Sequence, residues 1–229
     1  MVEGDAENLL LPAIARRLGR PLESHGVSIV KVGHVGLFRY SRILQRMAGR
    51  EIPVVVALLH DRDIPPDIAK QLVGKRRTES EWDADEKTKR LTSMQVEDGQ
   101  GVKTFISEQW TLEYDLARQP EFAPLLHRAI KLARASRTKT RKEVIAEADA
   151  ELAGLMNAAS GDVDAVAVHI FQPLYDRQVS KAETAEQLAD LVDQLPDKPA
   201  EFRAKCPAYL TRAIDYVTRR PAATADGAK

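Results

Sequence analysis

A single cysteine, Cys206, stands in a chain of 229 residues, so no internal disulfide is possible and a thiolate zinc site is not expected. Flanked by polar and helix-forming residues, it reads as a small filler of the interior. Long apolar runs are also missing. The longest, Ile52 to Leu59, falls far short of the roughly 20 residues that a membrane-spanning helix needs. No basic, then apolar, segment opens the chain; Glu3, Asp5 and Glu7 stand there instead, which excludes a secretory signal and implies a cytoplasmic protein. Net charge is absent too. Lys plus Arg and Asp plus Glu number 34 each, so any basic surface for a polyanion must be local and balanced by acidity elsewhere. No internal repeat is visible.

What is present is an ordinary soluble composition, 44% hydrophobic and 30% charged, with enough length to bury a proper core. Glu7 to Leu18 shows an apolar stripe at helical spacing (Leu9, Leu10, Ala13, Ile14, Leu18) stopped by Gly19, with Pro12 an obstacle inside it. Val27 to Val32 is β-branched and bounded by glycines, the pattern of a buried strand. Leu37 to Met47 is amphipathic, and Ile52 to Leu59 is a second, stronger strand with Pro53 at its start. Helix–strand–helix–strand with short turns predicts a parallel, doubly wound α/β sheet. Asp67 to Arg90 is densely charged and predicts a solvated helical arm or loop. A third strand is expected over Val102 to Ser107.

From Pro120 the pattern becomes helical. Helices are expected at about 121–135, 139–158 and 162–172, then from a Ser180 cap with Glu183 at its third position to Gln194, and from Pro199 to about Arg219. An Ala/Thr/Gly tail, 221–229, is expected to be disordered. The helical stretch interrupts the α/β pattern and reads as an insertion. The expected division is therefore 1–117 for the first part of the α/β core, 118–177 for a helical subdomain and 178–220 for the rest of the core.

Three acidic groups carry chemistry. Asp61-x-Asp63 follows the strongest apolar strand, at the carboxyl end, where open parallel sheets bind ligands. Two carboxylates so placed can grip a hard cation such as magnesium or manganese, although Asp is also an ordinary turn residue. In Glu3-Gly4-Asp5-Ala6-Glu7, Gly4 permits a tight strand-to-helix elbow. Helix capping explains Asp5 and Glu7 but not Glu3. The third group is Thr111-x-Glu113, just past the third strand. Acids after three successive strand positions would repel one another in one cleft unless a cation joined them. A metal site is expected.

The run EGDAENLLLPAIARRLG, the strand-borne DRD and the later WTLEYDLA resemble the Toprim domain of the OLD (overcoming lysogenization defect) family of nucleases. VSKAETAEQLADLV resembles the late segment of that family's nuclease region that carries a lysine. The resemblance covers most of residues 2–117 and again 178–194. It implies a Toprim, Rossmann-like parallel sheet flanked by helices, with the helical subdomain inserted. By position, it implies metal ligation by Glu3, Glu7, Asp61, Asp63, Thr111 and Glu113, two Mg²⁺ or Mn²⁺ ions, and catalysis through Lys181, Glu3 and Asp61, with DNA as substrate. Lys181 would offset charge building on the phosphate. In that family an ATP-binding cassette domain precedes this region. Here no G-x-x-x-x-G-K-[ST] occurs, so the chain is not expected to hydrolyse ATP. Because the first acidic motif begins at residue 3, the sequence reads as part of a longer polypeptide, and a homodimer formed through the ATPase half is an expectation for that full form.

Rival readings exist. Asp61-x-Asp63 also suggests a haloacid-dehalogenase-like phosphatase, but Ile64-Pro65-Pro66 departs from that pattern and Glu3 and Glu7 would be idle. A non-catalytic Toprim core with a helical interaction module is the other. His34 and His60 near strand ends, and His127 and His169 on helices, read as supporting or surface residues. Arg134, Arg137, Lys139, Arg141 and Lys142 form a basic joint that could track a phosphate backbone or simply be solvated.

Overall fold

The computed structural model describes residues 1–33, 37–136 and 138–219. His34, Arg137 and the expected tail 221–229 lie outside the described residues. Two parallel strands, β1 (Val56–His60) and β2 (Val102–Ile106), form the sheet, with Val56 opposite Val102 and His60 opposite Ile106. The connection between them carries the charged arm, which is helical: α3 (Lys70–Val73) and α4 (Ala84–Met94). Asp61 and Ser107 thus leave the sheet side by side at its carboxyl edge.

The expected strand 27–32 makes only one bridge, Val2 to Lys31. Val2 donates to the Val30 carbonyl at 3.0 Å and accepts from Val32 at 3.1 Å, while the Met1 carbonyl accepts from Leu59 at 3.1 Å. Met1 and Val2 therefore lie between β1 and residues 30–32. The pairing stops at Val2 because Gly4 already caps a helix, and a ladder needs residues on both sides. The strand expected from Ile52 starts only at Val56. Pro53 has no donor to offer a ladder, and Val54 folds back onto the Ile52 carbonyl at 2.8 Å.

α1 (Asp5–Arg17) starts two residues earlier than the expected Glu7 and tolerates Pro12. The Glu7 carboxylate accepts the Gly4 amide at 3.1 Å, satisfying a donor at the helix start. α2 (Leu37–Ile43) ends before the expected Met47, because the Gln100 side chain takes both the Arg46 amide and carbonyl. α5 (Leu112–Arg118), α6 (Phe122–Arg134), α7 (Arg141–Ala158), α8 (Val163–Tyr175) and α9 (Lys181–Asp193) follow. The helix expected over 199–219 is two, α10 (Pro199–Lys205) and α11 (Ala208–Thr218). Cys206 is held extended before Pro207, whose ring disfavours a helical residue ahead of it.

One buried apolar cluster runs through α1, α5, α6, α8, α9 and α11. A smaller one, Leu37, Val56, Leu58 and Val102, covers the other face of the strands. Trp110, 1% exposed, sits at the centre against Phe171, Tyr114 and Tyr175, with ring centroids 4.9, 5.5 and 5.6 Å away. Trp110→Ala is expected to cost about 3–5 kcal/mol of stability, read from urea denaturation midpoints; a loss under about 1 kcal/mol would contradict this placement.

Candidate metal centre

The two loops leaving the sheet are laced together. Ser107 Oγ accepts the Arg62 amide at 2.8 Å and donates to the Trp110 carbonyl at 3.0 Å. That carbonyl also receives the Asp63 amide at 3.0 Å. Asp61 Oδ1 accepts the Leu112 amide at 2.9 Å, capping α5 from the other strand's loop. Thr111, the residue before α5, accepts the Tyr114 amide and donates to Glu113 Oε2 at 3.1 Å.

Asp115 sets the shape of the second loop. Its carboxylate receives the amides of Glu108, Gln109 and Trp110 at 2.6, 3.1 and 3.1 Å. Burial pushes its carboxyl up to about 6, against the pull of those three donors. Sequence reasoning missed this residue, because a second acid in a helix's first turn looks like any dipole-favoured cap. Asp115→Asn would turn an NH₂ toward a backbone N–H and cost about 1–3 kcal/mol. The check is chemical denaturation, and an unchanged midpoint would refute it.

Lys181 opens α9, which Ser180 caps by accepting the Glu183 amide. Its ammonium stands 2.9 Å from Glu113 Oε2. A cation in a first helical turn opposes the helix dipole, so other charges must hold it there. They do. Burial alone would lower the Lys181 pKa, but the charge and hydrogen bond of Glu113, with Asp61 and Glu7, raise it above the ordinary value. The acids feel each other as well. Burial, then the charge of Glu113, then Glu7, hold the Asp61 carboxyl well above the usual range, with Lys181 and the Leu112 amide opposing. Burial and Glu113 likewise raise Glu7, although its backbone hydrogen bonds and Lys181 oppose. α1 packs along α9, which brings Glu7 to the lysine. Four segments distant in the chain share one electrostatic field.

Glu3 and Asp63 stand apart from this group. Glu3 Oε1 lies 2.8 Å from Nδ1 of the buried His60 at the end of β1. Asp63 has a left-handed backbone, φ 60°, and its Oδ2 is 3.4 Å from Arg90 Nη2. Among the described residues no three Asp, Glu, His or Cys side chains already form a metal-ready cage. Of the expected set, Glu7, Asp61, Glu113, Thr111 and Lys181 come together, whereas Glu3 is engaged with His60 and Asp63 with Arg90. Asp61, Asp63, Thr111 and Lys181 line a cleft of about 890 Å³.

The donor set suits a divalent cation. Hard carboxylate oxygens are the ligands magnesium and manganese select. Buried acids whose ionisation is opposed by their neighbours gain most from an added positive charge. No helix among the described residues is long and apolar enough to cross a membrane.

Residues 1–63 match the family described as overcoming lysogenization defect protein-like, TOPRIM domain. No curated protein matches the chain. Among solved structures, the chain is similar to the C-terminal region of the Burkholderia pseudomallei OLD protein, with 23% identity and a TM-score of 0.51, covering 95% of this chain and 94% of that one. The C-terminal region of the Xanthomonas campestris pv. campestris OLD protein is similar at 24% identity and a TM-score of 0.51, covering 95% and 91%. Identities this low speak to the fold. Residues 1–63 therefore match the OLD-like TOPRIM model, on a chain whose fold is similar to that of OLD C-terminal regions.

Proposed function

We propose that this chain hydrolyses DNA phosphodiesters in the cytoplasm with two magnesium or manganese ions held by its carboxylates. TOPRIM domains of this family are in general metal-binding folds of the nuclease and primase type. The observation that carries the finer reading is that Asp61, fixed by the Leu112 amide, lies beside α5, whose Glu113 meets Lys181 at 2.9 Å, with α1 and its Glu7 packed on α9. When bound, divalent ions would supply an activated water and stabilise the departing oxygen.

The protein's own groups divide the rest of the work. Glu7, Asp61 and Glu113 would hold the cations, and Thr111 keeps the Glu113 carboxylate oriented. The Leu112 amide fixes Asp61. Glu3 and Asp63 would complete the set for a second ion, Glu3 steadied by His60. Lys181, paired with Glu113 here, would meet the charge that builds on the phosphate. An ATPase domain of the OLD type is the proposed partner in a dimeric full-length protein.

The test is incubation of supercoiled plasmid with magnesium, manganese or calcium, beside a small phosphate monoester. Metal-dependent nicking without monoester turnover is expected. Monoester turnover with intact plasmid would instead select a phosphatase.

A further inference from the structure

Many basic side chains among the described residues are paired with acids. Arg62 pairs with Glu79, Arg77 with Glu86, Arg118 with Asp164 and Arg128 with Asp149. In the basic joint between α6 and α7, Lys139 holds Glu147, and Arg141 holds Asp190 and Gln187. The cleft is different. Three exposed arginines line it beside Asp61 and Lys181, namely Arg76, Arg134 and Arg177. Among the described residues none of the three has a carboxylate within ion-pair distance; Arg76 only approaches the Asp63 carbonyl at 3.5 Å.

Their placement is not that of a random surface. Arg76 follows α3 in the arm after β1, Arg134 ends α6, and Arg177 lies in the turn between α8 and α9, so two different parts of the fold contribute to one mouth. Arg177 also has a left-handed backbone, φ 57°, which disfavours any side chain but is accepted by glycine. An arginine kept where glycine would fit better points to a use for the side chain. Guanidinium groups with unused forks match phosphate oxygens bidentately.

Resting on the nuclease reading, we propose that Arg76, Arg134 and Arg177 form a clamp for the DNA backbone, gripping the phosphates that flank the one placed at Asp61 and Lys181. The acids at the floor repel a polyanion, and the clamp supplies the attraction that the chain's zero net charge does not. It binds without reading sequence, because phosphate contacts position a nucleic acid and bases specify it.

The experiment is fluorescence anisotropy of a labelled DNA oligonucleotide with the whole chain in EDTA, where cleavage is silent. Arg76→Ala, Arg134→Ala and Arg177→Gly are each expected to weaken binding about 5-fold at 0.15 M salt and to reduce the slope of log K against log salt by about 0.7–0.9. Arg177→Gly should keep the parent's thermal midpoint or exceed it, which separates lost binding from lost fold. Lys198→Ala, far from the cleft and paired with Glu201, should bind as the parent does. Parent-like affinity and slope in all three arginine variants would overturn the clamp, even if the parent nicks plasmid. A parent that binds no DNA would overturn it as well. Weakened binding in the variants of a parent that never cuts would leave the clamp standing and remove the nuclease reading.

Discussion

Asp61→Asn is expected to leave the chain folded, raise its metal-free thermal midpoint above neutral pH, and cut metal-dependent cleavage about 10³-fold, equivalent to about 4 kcal/mol. The asparagine oxygen can still accept the Leu112 amide. What disappears is an ionisable group opposed by burial, Glu113 and Glu7. The sign follows from its raised pKa in the folded chain. Protonated Asp61 contributes stability that is complete below the unfolded value near 4 and is lost as pH rises through the folded value. Asparagine has no such proton to lose, so the gap between variant and parent should widen with pH in EDTA. Adding manganese should then raise the parent's midpoint but not the variant's, since only a ligand of the native state stabilises it. A variant uniformly less stable at every pH would show that Asp61 serves only as a hydrogen-bond acceptor.

Lys181→Ala is expected to lower turnover about 10²- to 10³-fold at saturating metal while manganese affinity holds or improves. Its ammonium is 2.9 Å from Glu113, so lysine and metal would compete for the same carboxylate. Without metal, the variant leaves Glu113, 7% exposed, facing Asp61 and Glu7 with no cation. It should therefore be less stable than the parent in EDTA and recover more when manganese is added. Calorimetric manganese titration beside single-turnover cleavage separates the two effects. Cleavage at the parent's rate would remove Lys181 from the chemistry.

The site is legible in the sequence where local rules and function coincide. Asp61 follows the strongest apolar run, and a strand's carboxyl end is where such a fold binds ligands. Thr111-x-Glu113 follows the next strand for the same reason, and Lys181 is marked by its poor fit to a helix start. Glu3 and Glu7 differ in the fold because four residues separate a strand-like elbow from a helical turn, a distinction that acidic residues alone do not encode. Asp63 is turned aside by its left-handed backbone and by Arg90, 27 positions away, and nothing local announces that partner. Asp115 is invisible for a related reason: its partners are three backbone amides of an irregular loop. The strand over 27–32 is right in its β-branched pattern, yet a strand exists only where another lies opposite. There tertiary pairing overrides propensity.

A crystal soaked in manganese and read by anomalous scattering tests the central claim most directly. Manganese is expected within about 2.0–2.6 Å of carboxylate oxygens from Glu7, Asp61 and Glu113, with the Lys181 ammonium withdrawn from Glu113. Manganese bound only at Glu3 or Asp63, or bound nowhere in the cleft, would contradict the account.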